Sequence, residues 1–370
     1  MIFFVDICSF LVYIITKENV YLNWGEQLSS QVTMHDVADF CGVSIATVSR
    51  IINNIDYPVS DELRARVLNA VKELGYTPNL IGKFLKTSKT NDIGVIIPTI
   101  SNFYYSILLS GISESLLKIG FNMLLCSSNR NPADEKNAFI SLLQKQVRGI
   151  IIASVNIDTR FIKDLIANDV TIAAVEQPVD TPSHFVGFDY YKGGYLAAKH
   201  LIEAGHRKIA YLSFPVTYKS RQLRYDGFMR CLSDNDITIP KQYIQIIDYE
   251  RDSENTYEFS TGRTLAKRIL ELDDRPTAIF CLNDMMAMGA MQEITANGLK
   301  IPDDISVVGF DNLPISEMLS PALTTIDQCA YQLGCRAVEL LSKSLHHPEA
   351  PFESVMFEPT LVERQSVIRR

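Results

Sequence analysis

Ile45, Ala46, Thr47, Ser49, Arg50 and Asn53 fall on the outer face and N-terminal end of one short helical repeat, and Val48, Ile51 and Ile52 fall on its inner face. Hydroxyl, amide and guanidinium groups set beside two small apolar side chains are suited to contact, as in reading the edge of a groove. The elements that must hold them come just before. Thr33 can cap a helix whose apolar positions are Met34, Val37, Ala38 and Cys41. Gly42 then supplies the backbone freedom for a tight turn, and Ser44 can cap the helix that carries the outer face. Two short helices crossing at such a turn form a helix-turn-helix, whose second helix enters a major groove. An ordinary helical hairpin satisfies the same periodicity. A third helix follows in "PVSDELRARVLNAVKELGYTPN", capped at Ser60, with Leu63, Val67, Ala70, Val71 and Leu74 on one face and a stop at Gly75. Together the three helices can close a small core.

Composition limits what surrounds this segment. A chain of 370 residues has length for two or three domains, and 47% apolar with 21% charged residues fits a globular protein. A formal charge of −8 and a pI near 5.4 predict no general affinity for nucleic acid, so any DNA binding must be local. Between residues 32 and 90, Arg50, Arg64, Arg66, Lys72, Lys83, Lys86 and Lys89 oppose Asp36, Asp39, Asp56, Asp61, Glu62 and Glu73. Weak non-specific binding is expected, with its basic part at Lys83 to Lys89. The seven cysteines are odd in number, scattered and never spaced C-x-x-C, which argues against a disulfide framework or a zinc site and for a reducing cytoplasm. The apolar start "MIFFVDICSFLVYIITK" has two readings, a signal or membrane anchor and a misplaced translation start. Asp6, the missing basic n-region and cleavage site, and its short length favour the second. Residues 1–31 are therefore set outside the organised chain.

The segment "VTMHDVADFCGVSIATVSRIINN" followed by "VSDELRARVLNAVKELGYTPN" resembles the DNA-binding headpiece of the lactose-repressor (LacI/GalR) family of bacterial transcription regulators. Asp36-Val37-Ala38, Gly42-Val43-Ser44, Thr47-Val48-Ser49-Arg50, Asn53 and Gly75-Tyr76-x-Pro78-Asn79 stand in the family's order. The resemblance implies that Ile45, Ala46 and Arg50 meet base edges, with Arg50 able to pair with a guanine and the two apolar residues with thymine methyls. Ser44, Thr47, Ser49 and Asn53 would mostly touch phosphates or fix docking, and Tyr76 joins the DNA-binding set. A solvated or phosphate-bound Arg50 remains the alternative. In "NLIGKFLKTSKTND" the resemblance implies a hinge helix over residues 80–90 and places Leu85 as the minor-groove wedge. Gly82 and Lys83 stand where the family often has Ala and Arg, which lowers the hinge's intrinsic helicity.

From Asn91 the pattern becomes β-branched runs alternating with amphipathic segments. "DIGVIIP", "FNMLLCS", "RGIIIAS", "VTIAAVE", "KIAYLSF", "TAIFCLN" and "ISVVGFD" read as strands buried on both faces, predicting a parallel α/β architecture. Repetition of this unit before and after about Asp189 predicts two similar subdomains and a cleft between them. The order of markers here is similar to that of the same family, whose regulatory part resembles periplasmic sugar-binding proteins. The expected fold is thus an all-α headpiece over 32–79, a hinge over 80–90, and a periplasmic-binding-protein-like effector and dimerisation domain of two parallel-sheet subdomains over 91–370. Carried over position by position, the resemblance puts Asn102, Phe103, Arg224, Asn283 and Asp311 on the effector, a mixture that fits a polyol. Arg221 competes with Arg224. Asp284 reads equally as a helix cap, Asn102 can act as a cap alone, Phe214 reads as core, and His200 and His206 read as structural.

No P-loop, G-x-S-x-G, H-E-x-x-H or G-x-G-x-x-G after the first strand is found, so catalysis is not expected and no cofactor is assigned. The reading is a homodimeric repressor of carbohydrate-utilisation genes that binds double-stranded operator DNA and a sugar or sugar derivative. Two rivals stand beside it. One is a catabolite regulator of the same family controlled by a phosphocarrier protein, and the other is a membrane-anchored or exported sugar-binding receptor.

Overall fold

The computed structural model describes residues 32–53, 57–76, 90–156, 158–166, 170–247 and 257–370. The expectations placed on residues 1–31, on hinge residues 80–89 and on Leu85 lie outside them. The chain divides into two compact units between Ser88 and Lys89, and each is described by itself.

The described residues of the first unit form three helices, α1 (Met34–Cys41), α2 (Ile45–Ile52) and α3 (Asp61–Glu73). Thr33 closes a capping box on α1, receiving the Asp36 amide at 3.4 Å while its own N–H donates to the Asp36 carboxylate at 2.7 Å. Gly42 ends α1 in the left-handed region at φ +62° and returns its N–H to the last carbonyls, so α2 starts only three residues later. Ser44 and Ser60 cap α2 and α3. The core between the helices is Val37, Ala38, Cys41, Val48, Ile51, Val67, Ala70 and Tyr76.

The second unit contains two parallel sheets. In the first, β1 (Asp92–Ile97), β2 (Asn122–Ser127), β3 (Gly149–Ile152), β4 (Thr171–Val175), β5 (His184–Phe188) and β11 (Ser354–Phe357) lie in the order β11-β5-β4-β3-β1-β2. In the second, β6 (Ile209–Ser213), β7 (Ile244–Ile246), β8 (Ala278–Cys281) and β9 (Ser306–Val308) lie in the order β7-β6-β8-β9. All seven strands read from apolar runs are present. Burial on both faces explains most of those runs: Ile93, Val95 and Ile97 of β1 enter one core while Ile96 enters another. The expectation fails at β2, which is the edge strand and has no fully buried residue.

The helices that matter for the cleft are α4 (Phe103–Lys118), α7 (Tyr190–Glu203), α8 (Lys219–Asp234), α9 (Tyr257–Leu270), α10 (Asp284–Ala296) and α12 (Ala330–His346). The other α-helices among its described residues are α5 (Pro132–Gln144), α6 (Arg160–Leu165) and α11 (Pro314–Glu317). Near Asp189 the chain crosses from the first sheet to the second, as expected, but the two subdomains are not simply its two halves. After β10 (Thr325–Asp327) it returns, so that α12 packs on α4 and β11 pairs with β5 in parallel register, Val355 opposite Val186. It then crosses back, and β12 (Thr360–Val362) pairs antiparallel with β10. Three crossings tie the subdomains together. The later two escaped the sequence pattern because β10, β11 and β12 are three or four residues long, and the apolar residues of β11 are only half-buried or exposed.

Close helix contacts set the geometry. A Cβ on Gly194 of α7 would stand 2.0 Å from the Arg224 carbonyl oxygen, and one on Gly227 of α8 would stand 1.9 Å from that of Tyr191. Only glycine permits this approach, and it fixes the turn of α8 that carries Arg224.

Candidate functional site

Along α2 of the headpiece, Ile45 and Ala46 are exposed, Thr47, Ser49 and Arg50 are half-buried, and Asn53 is exposed at the C-terminal end. Ser44 accepts from the Thr47 amide at 3.1 Å, and the two hydroxyls meet at 2.9 Å. The Arg50 guanidinium lies 4.2 Å from the ring centre of Tyr57, a contact that presents it without consuming its donors. Asn53 donates to the Ser49 carbonyl at 2.7 Å, so part of its capacity is spent inside the helix. Five of the residues named for DNA contact thus share one helix, with Ser44 and Asn53 at its two caps. Tyr76 does not join them. It is 7% exposed and forms part of the headpiece core, because the left-handed Gly75 turns the chain back over α3.

In the second unit the residues after β1, β2, β4, β6, β8 and β9 face one another across a cleft, at the carboxyl ends of both sheets. Its walls are Asn102, Tyr104, Tyr105, Arg130, Glu176, Tyr190, Phe214, Ser220, Arg221, Arg224, Glu258, Leu282, Asn283, Asp311 and Gln328, around about 80 Å³. A second compartment of about 50 Å³ adjoins it, sharing Tyr105, Arg130, Glu176, Ser220 and Arg221.

Each polar group is placed by an element end. Asn102 caps α4 through Oδ1, accepting from the Tyr104 amide at 2.7 Å, and its Nδ2 reaches both Glu258 oxygens at 2.9 and 3.1 Å. Asn283 caps α10 in the same way and donates to Glu258 at 2.9 Å. Arg224 stacks on Phe310 at 3.6 Å from the ring centre and donates to the Leu282 carbonyl. Arg221 stacks on Tyr218 and Phe214, so both arginines line the cleft. Asp311 sits at φ +136° and accepts from Gln328.

Burial dominates the electrostatics. It pushes the carboxyls of Glu176, Glu258 and Asp311 up from their ordinary range, with Arg130 opposing at the two glutamates and Arg224 at Asp311. Tyr104 turns its hydroxyl toward Glu176 and Tyr190, while Arg224 Nε and Gln328 Oε1 are buried in the cleft without partners. A guanidinium N–H and an amide oxygen held in this state are costly unless something else satisfies them.

Four of the five residues named for effector contact therefore line one cleft. Phe103 does not, since it is 51% exposed at the first position of α4 while Tyr104 and Tyr105 turn inward. Asp284, read equally as a cap, is neither cap nor wall. It is fully buried and accepts from the Leu313 amide, Ser316 Oγ and Thr325 Oγ1 at 2.8, 2.7 and 2.6 Å. Phe214 is buried yet also lines the cleft. Glu258, Arg130, Glu176, Tyr190 and Gln328 were missed. Tyr190 sits in the quoted "DYYKGGY", but Glu258 carries no local signal.

Two family descriptions match: residues 33–79 match "Bacterial regulatory proteins, lacI family" and residues 198–367 match "Periplasmic binding protein-like domain". A transcriptional repressor named PurR from Mannheimia succiniciproducens is 36% identical over 340 residues, covering 90% of this chain and 98% of that protein. The chain belongs to the LacI family of bacterial regulatory proteins. In structure, this LacI-family repressor is similar to a lac repressor dimer bound to operator and the anti-inducer ONPF, with a TM-score of 0.78, 29% identity, and 91% and 99% of the two chains covered. It is also similar to a LacI-family regulator from Enterococcus faecium with bound ribose, with a TM-score of 0.67, 28% identity, and 75% and 99% covered. The LacI-family chain is accordingly a DNA-binding transcriptional repressor. The match at residues 33–79 sets aside the reading as an exported receptor. Among the described residues, no helix is long and apolar enough to cross a membrane.

Proposed function

We propose that this repressor controls carbohydrate-utilisation genes as a homodimer, and that a sugar or sugar derivative in the cleft sets its operator affinity. The observation that carries the reading is the pair of unsatisfied buried atoms Arg224 Nε and Gln328 Oε1, in a cleft also walled by Tyr104, Tyr105, Tyr190 and Phe214. A polyol supplies both donors and acceptors to such atoms while its C–H face packs on aromatic rings. The ribose-bound structural relative supports the same class. In this reading Asn102, Arg224, Asn283 and Asp311 orient the effector and Arg221 assists.

Ser44, Ile45, Ala46, Thr47, Ser49, Arg50 and Asn53 form the DNA-reading face of the 32–79 headpiece, Leu85 of the 80–90 hinge wedges the minor groove, and residues 91–370 bind effector and dimerise. Effector must favour one of two states, and a coupling of about 1–3 kcal/mol changes operator affinity roughly 5- to 150-fold.

The test is thermal stabilisation of the full chain by a panel of pentoses, hexoses, disaccharides and purine bases, followed by operator titration with each molecule that stabilises. Genomic fragments enriched by the protein supply the operator. A sugar that raises the melting temperature and shifts operator affinity is the expected result. Stabilisation by a purine base alone would overturn the carbohydrate assignment, and a response only to a phosphocarrier protein would move control from the cleft to a protein partner.

A further inference from the structure

Glu258 is held by groups from both sides of the cleft. Asn102 and Arg130 belong to the first-sheet subdomain and Asn283 to the second, and their nitrogens stand 2.9 and 3.1 Å, 3.3 Å and 2.9 Å from the carboxylate oxygens. Neither amide can turn away. The Oδ1 of Asn102 is committed to the Tyr104 amide and that of Asn283 to the Met286 amide, so each must present its NH₂ where the carboxylate lies. The carboxylate is also in the first turn of α9, where the helix dipole favours a negative charge. Two pinned amide donors, a guanidinium and a helix start make a seat shaped for a small anion, and a side chain of the protein itself occupies it. Elsewhere in the cleft the charge of Arg224 is felt by Asp311 and Glu176 and that of Arg221 by Glu258, so three acids stand among the arginines of the walls.

We propose that Glu258 is a built-in ligand of the cleft and a specificity-determining residue: its carboxylate fills an anion seat spanning both subdomains, so the effector is one without an anionic group. An acidic ligand would meet an occupied seat and a like charge, a repulsive element that discriminates against it. The inference rests on the reading of the cleft as the effector site.

The experiment is chemical rescue in the full chain. Glu258→Ala empties the seat, and its melting temperature is followed in formate or acetate against chloride at equal ionic strength. A gain of several degrees in the variant, absent from the wild type and from Glu258→Gln, whose side chain still fills the space, is the expected outcome. Glu258→Ser repeats the test. Should either need help to fold, refolding yield with and without formate gives the same reading.

Ribose and ribose 5-phosphate then probe selectivity. The wild type favours ribose, and Glu258→Gln shifts the ratio toward the phosphate by roughly tenfold or more. Variants that fold yet ignore formate and acetate, or a wild type that gains as much as they do, would overturn the seat. A wild type that prefers ribose 5-phosphate would overturn the selectivity. If neither ribose probe binds while the formate response holds, the sugar reading falls and the seat stands.

Discussion

In the headpiece the side chains of α2 that carry hydrogen-bonding groups stay in or near water, with Thr47, Ser49 and Arg50 half-buried and Asn53 exposed. In the effector unit the corresponding groups are withdrawn from it: Asn102 is 9% exposed, and Arg224, Asn283 and Asp311 are each 6% exposed. Solvated groups are cheap to rearrange and screened by salt, so a surface reader gains selectivity only when a partner desolvates it. Most of these buried groups are satisfied internally before any ligand arrives, through caps, a carboxylate bridge and stacked guanidiniums, and the few left over are those a ligand can satisfy. Mutations of equal chemistry should therefore cost far more stability in the second unit than in the first.

Asp284→Ala breaks the comparison most sharply. It strands the Leu313 amide, Ser316 Oγ and Thr325 Oγ1, three buried donors that hold the segment after Asp311 in place. A loss of at least about 3 kcal/mol is expected in denaturant unfolding of the effector unit. Amide exchange in α1 to α3 should not change. A loss below about 1 kcal/mol, the scale of a surface substitution, would remove the distinction between the two units.

His206 tests the buried side through pH. Burial first, and then Arg370, lower its pKa to about 4, and it is held between Thr277 Oγ1 at 2.9 Å and the Ile368 carbonyl at 3.2 Å. An unfolded histidine takes its proton near pH 6.5. Between that value and about 4 the unfolded chain thus binds the extra proton, and stability contributed by His206 is lost as pH falls. The raised carboxyls of Glu176, Glu258 and Asp311 act in the opposite sense, so the wild-type profile alone mixes both. The difference between wild type and His206→Gln isolates the histidine, and it should shrink steadily from pH 7 to pH 4. A difference independent of pH would mean that His206 contributes packing alone.

The same contrast explains what could be read from the residues. The headpiece reader is contiguous: cap, turn and outer face lie between Thr33 and Asn53, and periodicity gives each its side. The cleft collects single residues from the ends of six strands and from α9, so only those next to a legible strand, Asn102, Asn283 and Asp311, or in a marked helix, Arg224, could be named. Glu258 follows no apolar run. Phe103 missed by one position, and one residue turns a helix by about 100°, enough to send Phe103 outward and Tyr104 inward. Tyr76 is turned into the headpiece core for a related reason: its motif marks a position, while the Gly75 turn decides its direction. The strand His184–Phe188 was lost because a histidine opens it, yet His184 is fully buried against Ser344.

On the exposed side, Arg50→Ala should leave stability nearly unchanged and reduce operator binding by about 1–3 kcal/mol, concentrated at one base pair. Anisotropy titrations on the operator and on single-base variants measure this. If the loss is instead uniform across sequences and the salt slope drops by about one, Arg50 binds phosphate and the base-reading role passes to its neighbours.

Ser44 sharpens the comparison furthest, because one side chain serves two roles that can be separated. Its oxygen caps α2 through the Thr47 amide, and as a hydroxyl it can also meet a phosphate. Ser44→Ala removes both, at a cost of about 1 kcal/mol in the local stability of α2, read from amide exchange in the full chain. Ser44→Asp restores the cap, since aspartate is as good an N-cap as serine, but sets a negative charge against the DNA backbone. The exchange rates of α2 should then return to wild type while operator affinity falls below that of Ser44→Ala. If both variants bind alike, the hydroxyl acts on DNA only by holding the helix. If the aspartate variant binds best, the headpiece is limited by its own folding, and its exposed face resembles the cleft in needing internal order before contact.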